Sequence, residues 1–407
     1  MTSIVFYFQV HQPYRLRRYT LFDVGESEDY FDDAENERIV RRVAERCYLP
    51  MNRLLLKAID ATGGAFACSF SLSGTVLQQL EDWAPEALQS FVDLAETGRV
   101  EFLCETSHHS LCALVDPEEF RTQAESQRER IETLFGRRPV TFRNTELIFD
   151  NRIAKTLEEL DFRQLLGEGA DHLLQWRLPN YLYRARGTSR LSLLLRSYVY
   201  SDDIAFRFSN REWAGYPLMA DTFAGWLEEV PEAAPFIGLF MDYETFGEHQ
   251  AADTGILDFM QHLPGYILEN GRFDFATPSA VAGAAEPVGE LDVARPVSWA
   301  DEERDLSAWL GNPMQREAHR ALYDLAPGVR EAAVAGHTEL LDRWRKLTTS
   351  DHVYYMATKG HTDAEVHEYF SPYESPYDAF MIFMNVLEDL ALRVDRTLDS
   401  ETAGEKP

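Results

Sequence analysis

Short apolar runs alternate with longer segments of helical periodicity through roughly the first 285 residues, the pattern of βα units wound around a mainly parallel sheet. Ser3 to Val10 reads as a first strand, and Ala65 to Ser71, Val100 to Cys104, Val140 to Asn144, Gln164 to Gly167, Phe236 to Met241 and Phe273 to Ala276 follow. Between them the spacing predicts helices over Glu35 to Ala61, Thr75 to Thr97, Pro117 to Phe135, Asn151 to Leu160 and Gly255 to Glu269. Leu173 to Arg211 lacks a clean period and is expected to be a hairpin or excursion. Ala284 to Gly289 reads as a linker, Gln315 to Thr397 as mostly helical, and Glu401 to Pro407 as a frayed tail. The expected organisation is a barrel over 1–285, a helical region over 286–400 and a tail over 401–407. Seven or eight strand candidates, with no Gly-rich phosphate turn after the first, favour a barrel over an open doubly wound sheet.

Composition narrows the picture. The 407 residues suit one large domain with an extension, and a hydrophobic content of 45% supports a sizeable core without any run long enough for a membrane helix. The net charge of -29 repels phosphate backbones and anionic headgroups, which argues against nucleic-acid and membrane partners. Lysine occurs only at Lys57, Lys155, Lys346, Lys359 and Lys406, so arginine carries nearly all the positive charge. A high-salt cytoplasm and a GC-rich genome account for that bias equally well. Cys47, Cys68, Cys104 and Cys112 form no C-x-x-C pair and read as buried free thiols. Met1 to Val5 has no basic start, and Gln9, His11 and Gln12 interrupt the apolar run, so a cytoplasmic location is expected.

In a βα barrel the reactive groups follow the carboxyl ends of strands, whose loops converge on one face. Four polar clusters occupy such positions: His11-Gln12-Pro13, Glu101 to His109, Arg143-Asn144-Thr145-Glu146, and Asp242 to His249. Two carboxylates reaching one mouth from different strands suit glycosidic cleavage, one attacking the anomeric carbon while the other protonates the leaving oxygen. Glu146 and Asp242 meet that description. A lone strand-end carboxylate is more often a helix cap or surface ion partner, but the convergence of four clusters weighs against that reading. His11, His108, His109 and His249 raise a zinc reading, which the lack of H-x-x-x-H or H-E-x-x-H spacing disfavours. Trp176, Trp299 and Trp309 are candidate sugar platforms, although most tryptophans are core. Ser298 to Asp305 is too polar for a simple core helix, which favours the last two.

At these residues the chain resembles glycoside hydrolase family 57, the α-amylase and glucanotransferase family, over nearly its whole length. His11-Gln12-Pro13 is similar to that family's first signature and Gly98-Arg99-Val100-Glu101-Phe102 to its second. Arg143 to Leu147 is similar to the third, which carries the nucleophilic glutamate. Asp242 to Gly247 is similar to the fourth, whose first aspartate is the acid/base, and Trp299 to Trp309 falls where the fifth belongs. Two departures stand out: Arg143-Asn144 precedes Thr-Glu where many members carry a tryptophan, and Tyr243 replaces a frequent glycine.

The resemblance implies an incomplete (β/α)7 barrel, a helical region closing over the cleft, an α-glucan or maltooligosaccharide substrate, retention of configuration, and neither cofactor nor metal. Glu146 is then the nucleophile and Asp242 the acid/base. Sugar contacts are expected from His11, Glu101, His109, Arg143, Glu244, Trp299, Asp301 and Trp309, with Arg143 also helping to keep Glu146 charged. The compact α-amylase type fits best. A 4-α-glucanotransferase or branching enzyme shares the same intermediate, and a metal-dependent polysaccharide deacetylase or an inactive glycan-binding module are the readings outside the class.

Overall fold

A computed structural model describes residues 1–359 and 371–404. The chain divides into two compact units, the first formed by residues 1–12, 38–106 and 121–299, the second by 13–37, 107–120 and 300–407. The position-285 boundary read from the sequence thus falls inside the first unit.

Seven parallel strands form the ring of the first unit, Thr2–Val10, Cys68–Leu72, Val100–Phe102, Thr141–Arg143, Gln164–Glu168, Ser192–Arg196 and Phe236–Asp242, called first to seventh below, and a further short strand, Phe273–Phe275, pairs parallel with the start of the first. The seventh pairs with the first, the first with the second and the second with the third; separately, the fourth pairs with the fifth and the fifth with the sixth. Two narrow seams join these sheets into a ring. At one, Cys104 N donates to Thr141 O (3.0 Å) and Arg143 N to Cys104 O (2.8 Å). At the other, Ser197 N donates to Gly238 O (2.9 Å). Seams of one or two bonds in place of full ladders make this an incomplete (β/α)7 barrel.

Strict alternation along the first strand explains the layering. Ile4, Phe6, Phe8 and Val10 face the surrounding helices, whereas Val5 and Tyr7 point into the barrel with Phe236, Phe240, Leu166 and Leu194. Both sets are withdrawn from water, so the strand reads as a continuous apolar run. The sixth strand lies in the stretch read as irregular, where Tyr183–Ala185 pairs antiparallel to it and Glu290–Leu291 extends that pair. Two predicted long helices are interrupted. The first contains a π-helical turn, Ala44–Tyr48, and the second breaks at Ala84, whose helical conformation the following Pro85 disfavours.

The second unit is mainly helical, with Pro313–Asp324, Ala326–Val334, Thr338–Leu347 and Pro376–Gly404 packed over Trp309, Leu322, Trp344, Phe383 and Leu390. Asp389, without exposed surface, accepts hydrogen bonds from Tyr30 Oη (2.5 Å), Gly25 N (2.6 Å) and Arg393 Nε (2.6 Å), which ties residues 13–37 to the last helix. Arg345 Nε donates to Glu119 Oε1 (2.7 Å) and does the same for residues 107–120. The last helix continues to Gly404, and the remainder of the predicted frayed tail lies outside the described residues. No helix among the described residues is long and apolar enough to cross a membrane. All four cysteines are buried and free.

Candidate active site

The fourth strand runs into one 3-10 turn, Thr145–Leu147, in which Glu146 adopts φ 57° and ψ 27° and Leu147 also has positive φ. That left-handed conformation costs a non-glycine residue roughly 1–2 kcal/mol, so the surroundings must impose it. They do so from both sides. Asn144 Nδ2 donates to Ile148 O across the turn (2.9 Å), and Leu147 is buried inside the barrel. The following segment is stitched to Val297, with Phe149 N and Val297 N each donating to the other's carbonyl (3.1 Å). This bridge brings up Trp299, whose backbone N donates to Glu146 O (3.2 Å) and whose indole Nε1 donates to Glu146 Oε2 (2.7 Å).

Asp242 ends the seventh strand in register with Gln9 of the first, which itself pairs with Ser71 of the second. Inside this layer Tyr7 Oη donates to Gln9 Oε1 (2.6 Å), Ser71 Oγ donates to the same oxygen (2.8 Å), and Gln9 Nε2 donates to Glu105 Oε1 (2.9 Å). Burial pushes the Tyr7 phenol far above its usual range; Arg143 opposes that shift, while Glu105 and Asp242 add to it. Tyr7 is therefore a neutral donor, and the fields of Arg143, Glu105 and Asp242 meet at its ring.

Past Asp242 the chain makes a second 3-10 turn, Tyr243–Thr245, seated on the π-helical turn. Cys47 Sγ donates to Tyr243 O (3.0 Å) and Tyr48 Oη to Glu244 Oε1 (2.5 Å). Gly247 closes this contact: at φ 118° a Cβ there would stand 2.1 Å from Arg46 O, so no other residue fits. Tyr243, where family members often have glycine, is a buried anchor donating to Asn52 Oδ1 (2.5 Å). Burial, with the charge of Asp242 second, raises the Glu244 carboxyl to about 8, so it is protonated at neutral pH.

The other residues singled out in the sequence separate into distinct roles. His11 is partly exposed at the end of the first strand, its Nδ1 2.7 Å from Ser73 Oγ and its backbone N donating to Glu244 Oε1 (3.4 Å). Glu101 lies one inward layer lower, and both its oxygens are engaged, accepting from Thr141 Oγ1 (2.5 Å) and from Ser279 N (3.0 Å) and Oγ (2.8 Å). It caps the helix Pro278–Ala284, while Glu105 is the carboxylate at the strand end. Arg143 has no exposed surface, its guanidinium carbon 4.6 Å from the centroid of Trp299, so as it stands it is no sugar ligand. His109, Asp301 and Trp309 belong to the second unit. There His109 O accepts from Ser350 N (2.9 Å) and Asp301 Oδ2 from Lys359 Nζ (2.9 Å). Trp309 is 1% exposed, a core ring with no face open to a sugar, whereas Trp176 is 82% exposed. Among the described residues no three His, Cys, Asp or Glu side chains gather closely enough to hold a metal ion.

Reading the sequence alone missed Tyr7, Gln9, Glu105 and Arg196. Polar side chains at alternate positions of an otherwise apolar strand were the available signal for the first two. Arg196 ends the sixth strand, donating from Nε to Phe240 O (2.8 Å) and from Nη2 to Asp202 Oδ1 (2.5 Å).

Comparison with known proteins agrees with this architecture. The chain is 40% identical over 405 residues to a Methanocaldococcus jannaschii protein described as "Putative alpha-amylase", an alignment covering 97% of this chain and 85% of that one. Its fold is similar to a branching enzyme from Pyrococcus horikoshii (TM-score 0.68, 14% identity, 98% of this chain and 91% of that one). It is also similar to the 4-α-glucanotransferase of Thermococcus litoralis (TM-score 0.66, 15% identity, 87% of this chain), of whose length it spans 56%. Residues 5–294 match the model of glycosyl hydrolase family 57, and the chain belongs to that family.

Proposed function

We propose that this glycoside hydrolase cleaves α-glucosidic bonds in α-glucans with retention of configuration, Glu146 acting as nucleophile and Asp242 as general acid/base. The observation that carries the assignment is the indole N–H held on Glu146 Oε2, which favours the ionised carboxylate that attack requires. In the first step a Glu146 oxygen bonds to the anomeric carbon as the glycosidic bond breaks, and the Asp242 proton passes to the leaving oxygen. In the second, Asp242 takes a proton from water, whose oxygen displaces Glu146 and releases the sugar with its original anomeric configuration. Such a sequence places the two carboxyl groups about 5–5.5 Å apart. His11 and Trp299, both partly exposed, supply sugar contacts, His11 held by Ser73 and Trp299 by Glu146. The compact α-amylase reading leaves water as the acceptor, in a cytoplasm whose salt screens the acidic surface.

Incubating the protein with maltooligosaccharides and separating the products tests this. Shorter oligomers released as the α-anomer support it. Oligomers longer than the substrate would assign transfer in place of hydrolysis, and an initial β-anomer would overturn retention.

A further inference from the structure

Arg143 is the anomaly of the barrel. Its Nε, Nη1 and Nη2 have no hydrogen-bond partner among the described residues, and none of its surface meets solvent. A buried guanidinium is normally paired, as Arg196 is with Asp202, Glu168 and the Phe240 carbonyl. What Arg143 has instead are aromatic rings, with Trp299 at 4.6 Å and Tyr7 at 5.9 Å from its guanidinium carbon. The guanidinium carbon of Arg196 lies 5.7 Å from the same indole centroid. Trp299 therefore meets two cations while its N–H bonds to the carboxylate of Glu146.

We propose that Arg143 and Trp299 are positioning residues that act in series: the buried guanidinium fixes and polarises the indole, and the indole N–H aims Glu146 and keeps it ionised. A cation on the face of an indole attracts its π electrons, which makes the N–H a stronger donor. The Trp299 backbone bond to Glu146 O leaves the side chain little freedom to donate elsewhere. The unpaired positive charge also acts through a low-dielectric interior, where it favours a nearby anion more than it would in water. Around this end of the barrel the charged and titratable groups among the described residues include Arg143 itself, Tyr7 and His11 on and just after the first strand, Glu105 after the third, Glu168 and Arg196 on the fifth and sixth with Asp202 beside them, and Asp242 and Glu244 at the end of the seventh. The acidic members oppose ionisation of Glu146, and the Arg143–Trp299 pair opposes them. The Arg143-Asn144 pair that precedes Thr145-Glu146 thus puts a buried positive charge at the end of the strand that leads into Glu146.

This inference rests on Glu146 being the nucleophile, but it can be tested without a substrate. Carboxyl carbons of glutamate are labelled with carbon-13 in the full chain, the Glu146 resonance is assigned by its loss in Glu146→Gln, and it is titrated by NMR. Trp299→Phe keeps a ring and removes the N–H; Arg143→Met removes the charge at similar volume; Arg143→Lys restores the charge. Glu146 should titrate about one unit higher in Trp299→Phe and Arg143→Met, and should return toward the wild-type value in Arg143→Lys. On α-glucans the first two should lower kcat roughly 10- to 100-fold, and for the buried Arg143→Met KM should be little changed. Unchanged titration of Glu146 in a folded Trp299→Phe protein would overturn the inference, whatever its activity. A wild-type protein inactive on α-glucans would strike the proposed function, with the titration still deciding this inference. Should Arg143→Met fail to fold, Trp299→Phe and Arg143→Lys decide it.

Discussion

The turn after the fourth strand and the turn after the seventh are both single 3-10 turns with a glutamate at the centre, yet they favour opposite protonation states. Glu146 accepts an indole N–H and has Arg143 on its own strand, so its surroundings favour negative charge. Glu244 is buried against Tyr48 beside Asp242 and is pushed up to about 8, so its surroundings favour the proton. The lesson is that two turns of the same kind at strand ends set opposite surroundings for a carboxyl, donors and a cation around Glu146 and burial beside a second carboxyl around Glu244.

The largest effect should come from removing the charge on the fourth-strand side. Glu146→Gln is expected to lower turnover on the order of 10⁴-fold or more, measured with maltooligosaccharides, and appreciable residual activity would break the comparison. On the other side, Asp242→Asn should slow natural glucans more than activated aryl glycosides, whose leaving groups need little protonation. Equal loss on both substrates would deny Asp242 its acid role. His11→Ala should reduce turnover by roughly 10- to 10,000-fold, and a near-normal value would mark His11 as peripheral.

Glu244 sharpens the comparison through stability. Burial pushes its folded-state carboxyl up to about 8, far above the ordinary 4.5, so the folded chain keeps this proton after the unfolded chain has lost it. The stabilisation is full below about pH 4.5, declines as pH rises, and is gone above about pH 8, with a slope of at most about 1.4 kcal/mol per pH unit. Denaturant melts of Glu244→Gln between pH 5 and 8 should show a flatter decline than wild type; identical slopes would place the proton elsewhere. The smallest effect concerns the surface. With a net charge of -29, thermal stability should rise from low to molar potassium chloride, and a flat or falling profile would leave genomic bias as the source of the acidity.

Much of this molecule was legible before its structure. Ile4 to Phe8 and Phe236 to Met241 are unmistakable buried strands, and the polar residues directly after such runs include Glu146 and Asp242. The sixth strand was not legible because Leu193-Leu194-Leu195 is too short a run to separate from a helix by period. The π-helical turn was invisible for a different reason: Ala44 to Tyr48 continues a good helical pattern, and only its docking on Tyr243 and Glu244 reveals the extra residue. Glu101 and Glu105 are four apart in one strand-end motif, and only the pairing register shows which caps a helix and which joins the network at Gln9. Trp309 looked exposed because of its polar neighbours, but its ring faces inward.

The role of Glu146 as nucleophile is tested most directly by trapping it. An Asp242→Asn protein incubated with a 5-fluoro-α-glucosyl fluoride should form its glycosyl-enzyme quickly, because fluoride needs no proton to leave, and release it slowly. After proteolysis, mass spectrometry should find the added sugar on the peptide containing Glu146. A label on Glu244, Glu105 or any other carboxylate, or β-anomeric product with no labelled peptide, would contradict the account.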